Sequence, residues 1–243
     1  MHFCWKALFF RVVFIVDTGL TAGSQFQSKV LNFQSSPITS RNGGKLKNIV
    51  RCNIAQSDQD FSLIKGDEKN HPLLRRKFQK VAREYGAEPV GVFVDDDLDT
   101  ILKASDASDL EFVQLHGDLS QAAFPKLVQE NRIIYVLHAN EDGDLQNQIS
   151  DEDCSLVDWV LVDSAKGGSG KGFNWAQFKL PSITSKHGWL LAGGINPNNV
   201  CEAINTLNPH GVDVSSSICA PDGIRKGRSR IYSFMKGVRS APY

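Results

Sequence analysis

From Val90 onward, short apolar runs alternate with segments of helical period. The runs are Val90–Val94, Phe112–His116, Ile133–Leu137, Trp159–Asp163, Trp189–Ala192 and Val212–Val214. Each is β-rich, near-continuously apolar and bounded by turn formers, the mark of a strand buried on both faces. Between and after them the pattern predicts helices over Leu98–Ala107, Gln121–Glu130, Asn198–Leu207 and Arg228–Val238, with shorter ones near Asp151–Val157 and from Trp175 to Phe178. A further helix is predicted from Leu73 to Glu84, stopping at Tyr85-Gly86. Strict strand–helix alternation builds right-handed parallel units, so the fold class is α/β with a parallel sheet. Six strands are legible, where a closed (β/α)8 barrel needs eight.

Composition changes the picture at the N-terminus. The chain has 243 residues and no net charge. Residues 1–57 hold seven basic groups and one acidic group, so the rest is net acidic. This acid-poor, Ser-bearing stretch predicts a disordered, removable transit peptide over 1–57, then a linker over 58–76 and the β/α domain over 77–243. The first 16 residues, MHFCWKALFFRVVFIV, also look like a secretory signal, but Arg11 interrupts the apolar run. That run is far short of the ~20 residues that span a bilayer, so no membrane segment is expected. The basic residues are scattered, which argues against nucleic-acid binding. The five cysteines, Cys4, Cys52, Cys154, Cys201 and Cys219, form no CxxC pair, which argues against a zinc site or a disulfide framework.

Candidate chemistry gathers at the ends of the predicted strands. Trp159–Val162 ends on a carboxylate, Asp163, and a glycine-rich loop with Gly168 and Gly170 follows. It is not a nucleotide P-loop: the first motif position is Ala165 and the residue after Lys171 is Gly172. Asp163 therefore sits on the face where β/α barrels carry their active sites, suited to act as a general acid. Gln114 and His116 share one side of the second strand, facing inward at its end. The last two strands end in Gly193-Gly194 and Ser215-Ser216, where barrels commonly bind phosphate through backbone N–H groups. The run Asp95-Asp96-Asp97 reads as a solvated turn and helix N-cap rather than a metal site.

Taken together, QLHGD, LVDSAKGGSGKGFNW, LLAGGINPNNV and GVDVSSSI resemble phosphoribosylanthranilate isomerase in its plant form, over about Lys80 to Tyr243. The resemblance implies a single (β/α)8 TIM barrel of tryptophan biosynthesis, located in the plastid stroma. It implies a cofactor-free Amadori rearrangement of N-(5-phosphoribosyl)anthranilate to a 1-(2-carboxyphenylamino)-1-deoxyribulose 5-phosphate. It makes Asp163 the general acid that protonates the ribose ring oxygen. Gly193, Gly194, Ser215 and Ser216 become the phosphate cradle, and Gln114, His116, Gly168 and Gly170 lie on the substrate's binding surface. The partner is then a phosphorylated small molecule; the oligomeric state is left open.

Two departures stand out. The family's first strand carries Lys-x-Cys-Gly, whose Cys is the general base, and its second strand leads into a Ser/Arg-bearing loop. Neither is found, as though a segment were missing before Lys80. Cys4 and Cys52 lack the expected flanking residues. The expectation is an incomplete barrel with two unpaired sheet edges, holding the acid and phosphate parts of a site without its base. Ser217 stands where the family has Gly, which predicts crowding of the phosphate or backbone strain. The rival readings are another sugar-phosphate barrel enzyme and a truncated, non-catalytic isoform that binds phosphate weakly.

Overall fold

The computed structural model describes the backbone of residues 12–15 and 48–49, and residues 88–108, 110–165, 172–221 and 226–241 in full. The rest of the expected transit peptide, the linker, the helix from Leu73 to Glu84, and Gly168 and Gly170 lie outside the described residues. Eight strands form one sheet: β1 (Val12–Ile15), β2 (Asn48–Ile49), β3 (Val90–Phe93), β4 (Phe112–Leu115), β5 (Arg132–Ala139), β6 (Trp159–Ser164), β7 (Trp189–Leu191) and β8 (Gly211–Val214). Their spatial order is β2-β1-β8-β7-β6-β5-β4-β3. Strands β3 to β8 are the six predicted from the apolar runs. They pair in parallel, each beside its sequence neighbour, as half of a barrel wall.

The helices are α1 (Leu98–Ser108), α2 (Asp118–Ala122), α3 (Phe124–Leu127), α4 (Asp151–Leu156), α5 (Val200–Leu207) and α6 (Arg228–Ser240). The single helix predicted over Gln121–Glu130 is instead the pair α2 and α3. Pro125 cannot donate to a helix interior and stands in the first turn of α3, so the helix restarts there. Trp175–Phe178 forms a turn rather than a helix. Asn174 closes it, its carbonyl accepting from Gln177 N and Phe178 N and its side chain from Ala176 N. Asp97 caps α1: its Oδ1 accepts from Thr100 N at 2.9 Å. These hydrogen bonds to Thr100 hold its carboxyl below the usual carboxylate range.

Alternation along the strands sorts their side chains onto two faces. Val113, Leu115, Ile133, Tyr135, Val160, Val162, Leu191 and Val212 pack in the main core with Ala104, Leu127, Ile204, Phe234 and Val238 from the helices. The other face carries its own buried cluster of Val90, Phe112, Ile134, Val136, Trp159, Leu161, Leu190 and Ala192. This is the inner side of the barrel wall, and its residues are buried.

The expected pair of unpaired edges holds only in part. Strand β1 pairs antiparallel with β8, Val12 opposite Val214 and Ile15 opposite Gly211, and β2 pairs antiparallel with β1. Strand β3 ends the sheet, with no strand beyond it among the described residues.

Candidate active site

The carboxyl ends of β4 to β8 lie along one rim, since parallel strands end together. Asp163 is the fifth residue of β6 and opposes His138 of β5. It falls on the inner face, two residues beyond Leu161, and is 3 % exposed. Its Oδ1 accepts the N–H of Ser164 at 2.8 Å, and its Oδ2 lies 4.0 Å from Nε2 of His116. Gln114 and His116 follow Phe112 on the same face. Gln114 is fully buried, and its Nε2 lies 3.2 Å from Nδ1 of His116. His138 lies edge-on to His116, ring centroids 5.0 Å apart, and its Nε2 bonds the carbonyl of His116 at 2.7 Å.

The glycine pair meets the acid directly. Gly193 has φ +78° and Gly194 φ +68°, conformations that L side chains rarely adopt. A Cβ added to Gly193 would lie 2.5 Å from Ser164 N and 3.1 Å from Oδ1 of Asp163, so no larger residue fits. Asn196 and Asn199 hold this turn, their side-chain Nδ2 groups donating to the carbonyl of Gly194 at 3.3 and 3.1 Å. On the next strand, Ser215 leads into a 3-10 turn over Ser216–Ile218. The hydroxyl of Ser217 donates to the carbonyl of Ile195, tying this turn to the glycine turn. Ser217 carries no left-handed strain, because Asn208 is the one non-glycine residue with positive φ among the described residues. The strain expected at Ser217 is thus absent: its backbone is ordinary and its hydroxyl serves as a tie. Lys226 supports the turn from below, with Nζ 2.8 Å from the carbonyl of Ser215.

Of the sequence-derived candidates, Gln114, His116, Asp163, Gly193, Gly194, Ser215 and Ser216 share this rim; Gly168 and Gly170 belong to the undescribed loop. Sequence reasoning passed over His138, Asn196, Asn199 and Lys226. The two asparagines were visible as Asn-Pro-Asn-Asn beside the glycines, a turn-forming run able to bond its own backbone. His138 and Lys226 carried no local signal. A cavity of about 360 Å³ at the same rim is lined by Ala139, Asn140, Gln146, Ser164, Ala165 and Gly172 among others. Among the described residues, no three His, Cys, Asp or Glu side chains cluster as a metal site would need. No described helix is long and apolar enough to cross a membrane.

Half of a β/α-barrel wall, with a buried acid, two histidines and a glycine-serine cradle on its carboxyl rim, defines a protein of the TIM-barrel class. The family model for N-(5'-phosphoribosyl)anthranilate isomerase matches residues 47–236, well over half of the chain. The chain belongs to that family. It is 64 % identical over 168 residues to the chloroplastic isomerase 1 of Arabidopsis thaliana, covering 69 % of this chain and 61 % of that protein. It is 35 % identical over 175 residues to the isomerase of Chlamydia felis, covering 72 % of this chain and 82 % of the relative. The chain therefore spans about three fifths of the length of the plant relatives. The phosphoribosylanthranilate isomerase of Thermus thermophilus superposes with a TM-score of 0.57 at 22 % identity, over 70 % of this chain and 81 % of that one. That of Thermotoga maritima gives 0.52 at 25 % identity, over 69 % and 80 %. The family match reaches back to residue 47, well before Lys80, and so takes in Val50-Arg51-Cys52-Asn53.

Proposed function

We propose that the chain is built for the isomerisation of N-(5'-phosphoribosyl)anthranilate in tryptophan biosynthesis, in a plastid, and that it supplies the acid and phosphate parts of that reaction without a properly held base. The observation that carries this reading is the contact between acid and cradle. Gly193 lies against Asp163 with no room for a side chain, so an anion held at the glycine and serine turns keeps its sugar ring at the acid. Relatives named as isomerases, and as chloroplastic in Arabidopsis thaliana, support it.

In this reading the ribose 5-phosphate group sits at Gly193, Gly194, Ser215 and Ser216, where backbone N–H groups and hydroxyls donate to it. Asp163 gives its proton to the ring oxygen. The C1–O bond breaks with its electron pair going to that oxygen, while the anilino nitrogen lone pair forms the C1=N bond. A base must then take the proton from C2 to give the enolamine, which relaxes to the ketone. Cys52 is the thiol at the amino-terminal end of the family match, but one residue before it stands Arg51, where the family pattern has a spacer after its basic residue. A positioned base contributes roughly 10²–10⁴ in rate, so turnover is expected to be low.

The test of the cradle is binding. Gly194→Asp sets a carboxylate against the anion and forces a side chain onto φ +68°. It is expected to weaken ribose 5-phosphate at least tenfold in a calorimetric titration. Unchanged affinity would move the phosphate elsewhere.

A further inference from the structure

Gln114 is 0 % exposed, and its amide oxygen has no hydrogen-bond partner among the described residues. Buried polar atoms are nearly always paired, so the arrangement has a cause to be found. The amide nitrogen lies 3.2 Å from Nδ1 of His116. An amide nitrogen only donates, so Nδ1 accepts and carries no proton. The proton of the neutral ring is then on Nε2, which faces Oδ2 of Asp163 at 4.0 Å. His138 braces the other side. It packs edge-on to the ring and bonds the carbonyl of His116, which fixes the backbone from which the imidazole hangs.

From this we infer that Gln114 is a positioning residue that holds His116 as the Nε2–H tautomer, and that this N–H receives Asp163 when the acid becomes a carboxylate. The role differs from a contact with substrate. As Asp163 releases its proton, negative charge is left on a carboxyl that is almost fully buried. An N–H aimed at it stabilises that charge, once the ring swings in by roughly 1 Å to charge-assisted distance. Turning the amide over would give its oxygen a partner only by moving the ring proton to Nδ1. The bare Nε2 would then face the carboxylate and repel it. Satisfying Gln114 and stabilising Asp163 are thus opposed, and the orphaned oxygen is the cost of the second.

The inference rests on Asp163 as the acid, yet the tautomer can be read without turnover. The full chain is labelled with 15N-histidine, and long-range 1H–15N correlation spectra are recorded near pH 8, above the ordinary imidazole value of about 6.5. The His116 signals are assigned by their loss in His116→Asn. The expected result is a protonated Nε2 and a bare Nδ1. Gln114→Glu, whose ionised carboxylate offers only acceptors, is expected to put a proton on Nδ1. Gln114→Met, which offers neither, is expected to give a mixture. A wild-type spectrum with Nδ1 protonated overturns the proposal, as does an Nδ1 still bare beside an ionised carboxylate in Gln114→Glu. Should Gln114→Met not fold, the wild-type and Gln114→Glu spectra decide between them. If the tautomer is as expected but Asp163→Asn leaves turnover of an active chain unchanged, the acid assignment fails and with it the role of the N–H toward Asp163, while the tautomer held by Gln114 stands.

Discussion

Asp163 was legible because it is a lone charge closing an apolar run and opening a glycine-rich loop, on the face where β/α barrels carry their sites. What its neighbours do was not. The approach of His116 and the brace from His138 depend on the register of β4, β5 and β6, with His138 opposite Asp163. No local pattern encodes that register. His210 shows how one side chain couples the fold to pH. Its Nδ1 accepts the N–H of Trp189, the first residue of β7, at 3.3 Å. Burial lowers its pKa below the ordinary value. The folded state therefore favours the neutral ring, and the unfolded state binds more protons below about pH 6.5. The stability His210 contributes is fully present above that value and is lost as pH falls through it toward the lowered folded value. In thermal unfolding from pH 7.5 to 5.5 (roughly spanning the ordinary imidazole value), wild type is expected to lose more Tm than His210→Gln, whose amide oxygen can still accept. Equal slopes would remove His210 from the pH dependence.

Among the elements, the strands matched their apolar runs closely and the helices less so. A strand buried on both faces leaves a continuous signal, whereas a short surface helix can be broken by one residue, as Pro125 breaks α2 from α3. The amino ends of the strands, opposite the candidate site, are joined by a charged cluster. Asp158, just before β6, accepts from Ile133 N at 3.0 Å and from Nε of Arg132 at 3.2 Å. Arg132 also reaches Glu111 at 2.8 Å and lies 4.0 Å over the ring of Phe112. In barrels this end serves stability rather than catalysis. Asp158→Ala strands a buried backbone N–H and is expected to cost about 2 kcal/mol in urea unfolding, well under the value for a fully buried ion pair because Arg132 is partly solvated. Asp158→Asn keeps an acceptor and is expected to lose less. Ribose 5-phosphate affinity of the folded variants is expected to stay at the wild-type value. A drop in affinity as large as the drop in stability would show that the two ends of the strands are coupled.

At the scale of the whole molecule, six parallel strands form half of a barrel wall, and a short antiparallel strand lies against β8 where closure requires a parallel one. The parallel half was legible from the strand–helix alternation. The direction and partner of β1 were not, because a four-residue apolar run carries no record of what it pairs with. The consequence is functional. Among the described residues no parallel strand supplies the wall from which a base would reach C2, and catalysis tolerates little misplacement of its groups. The measurement that tests this most directly is turnover of N-(5'-phosphoribosyl)anthranilate by the purified chain. It is made beside the same chain with a family segment, from the Lys-x-Cys-Gly strand through the second strand, inserted between Pro72 and Lys80. Turnover is expected from the graft, to be lost again on Asp163→Asn, with the ungrafted chain at least roughly 10²-fold slower. An ungrafted chain that matches the graft would contradict the account, and Cys52→Ser would then identify the base it already holds.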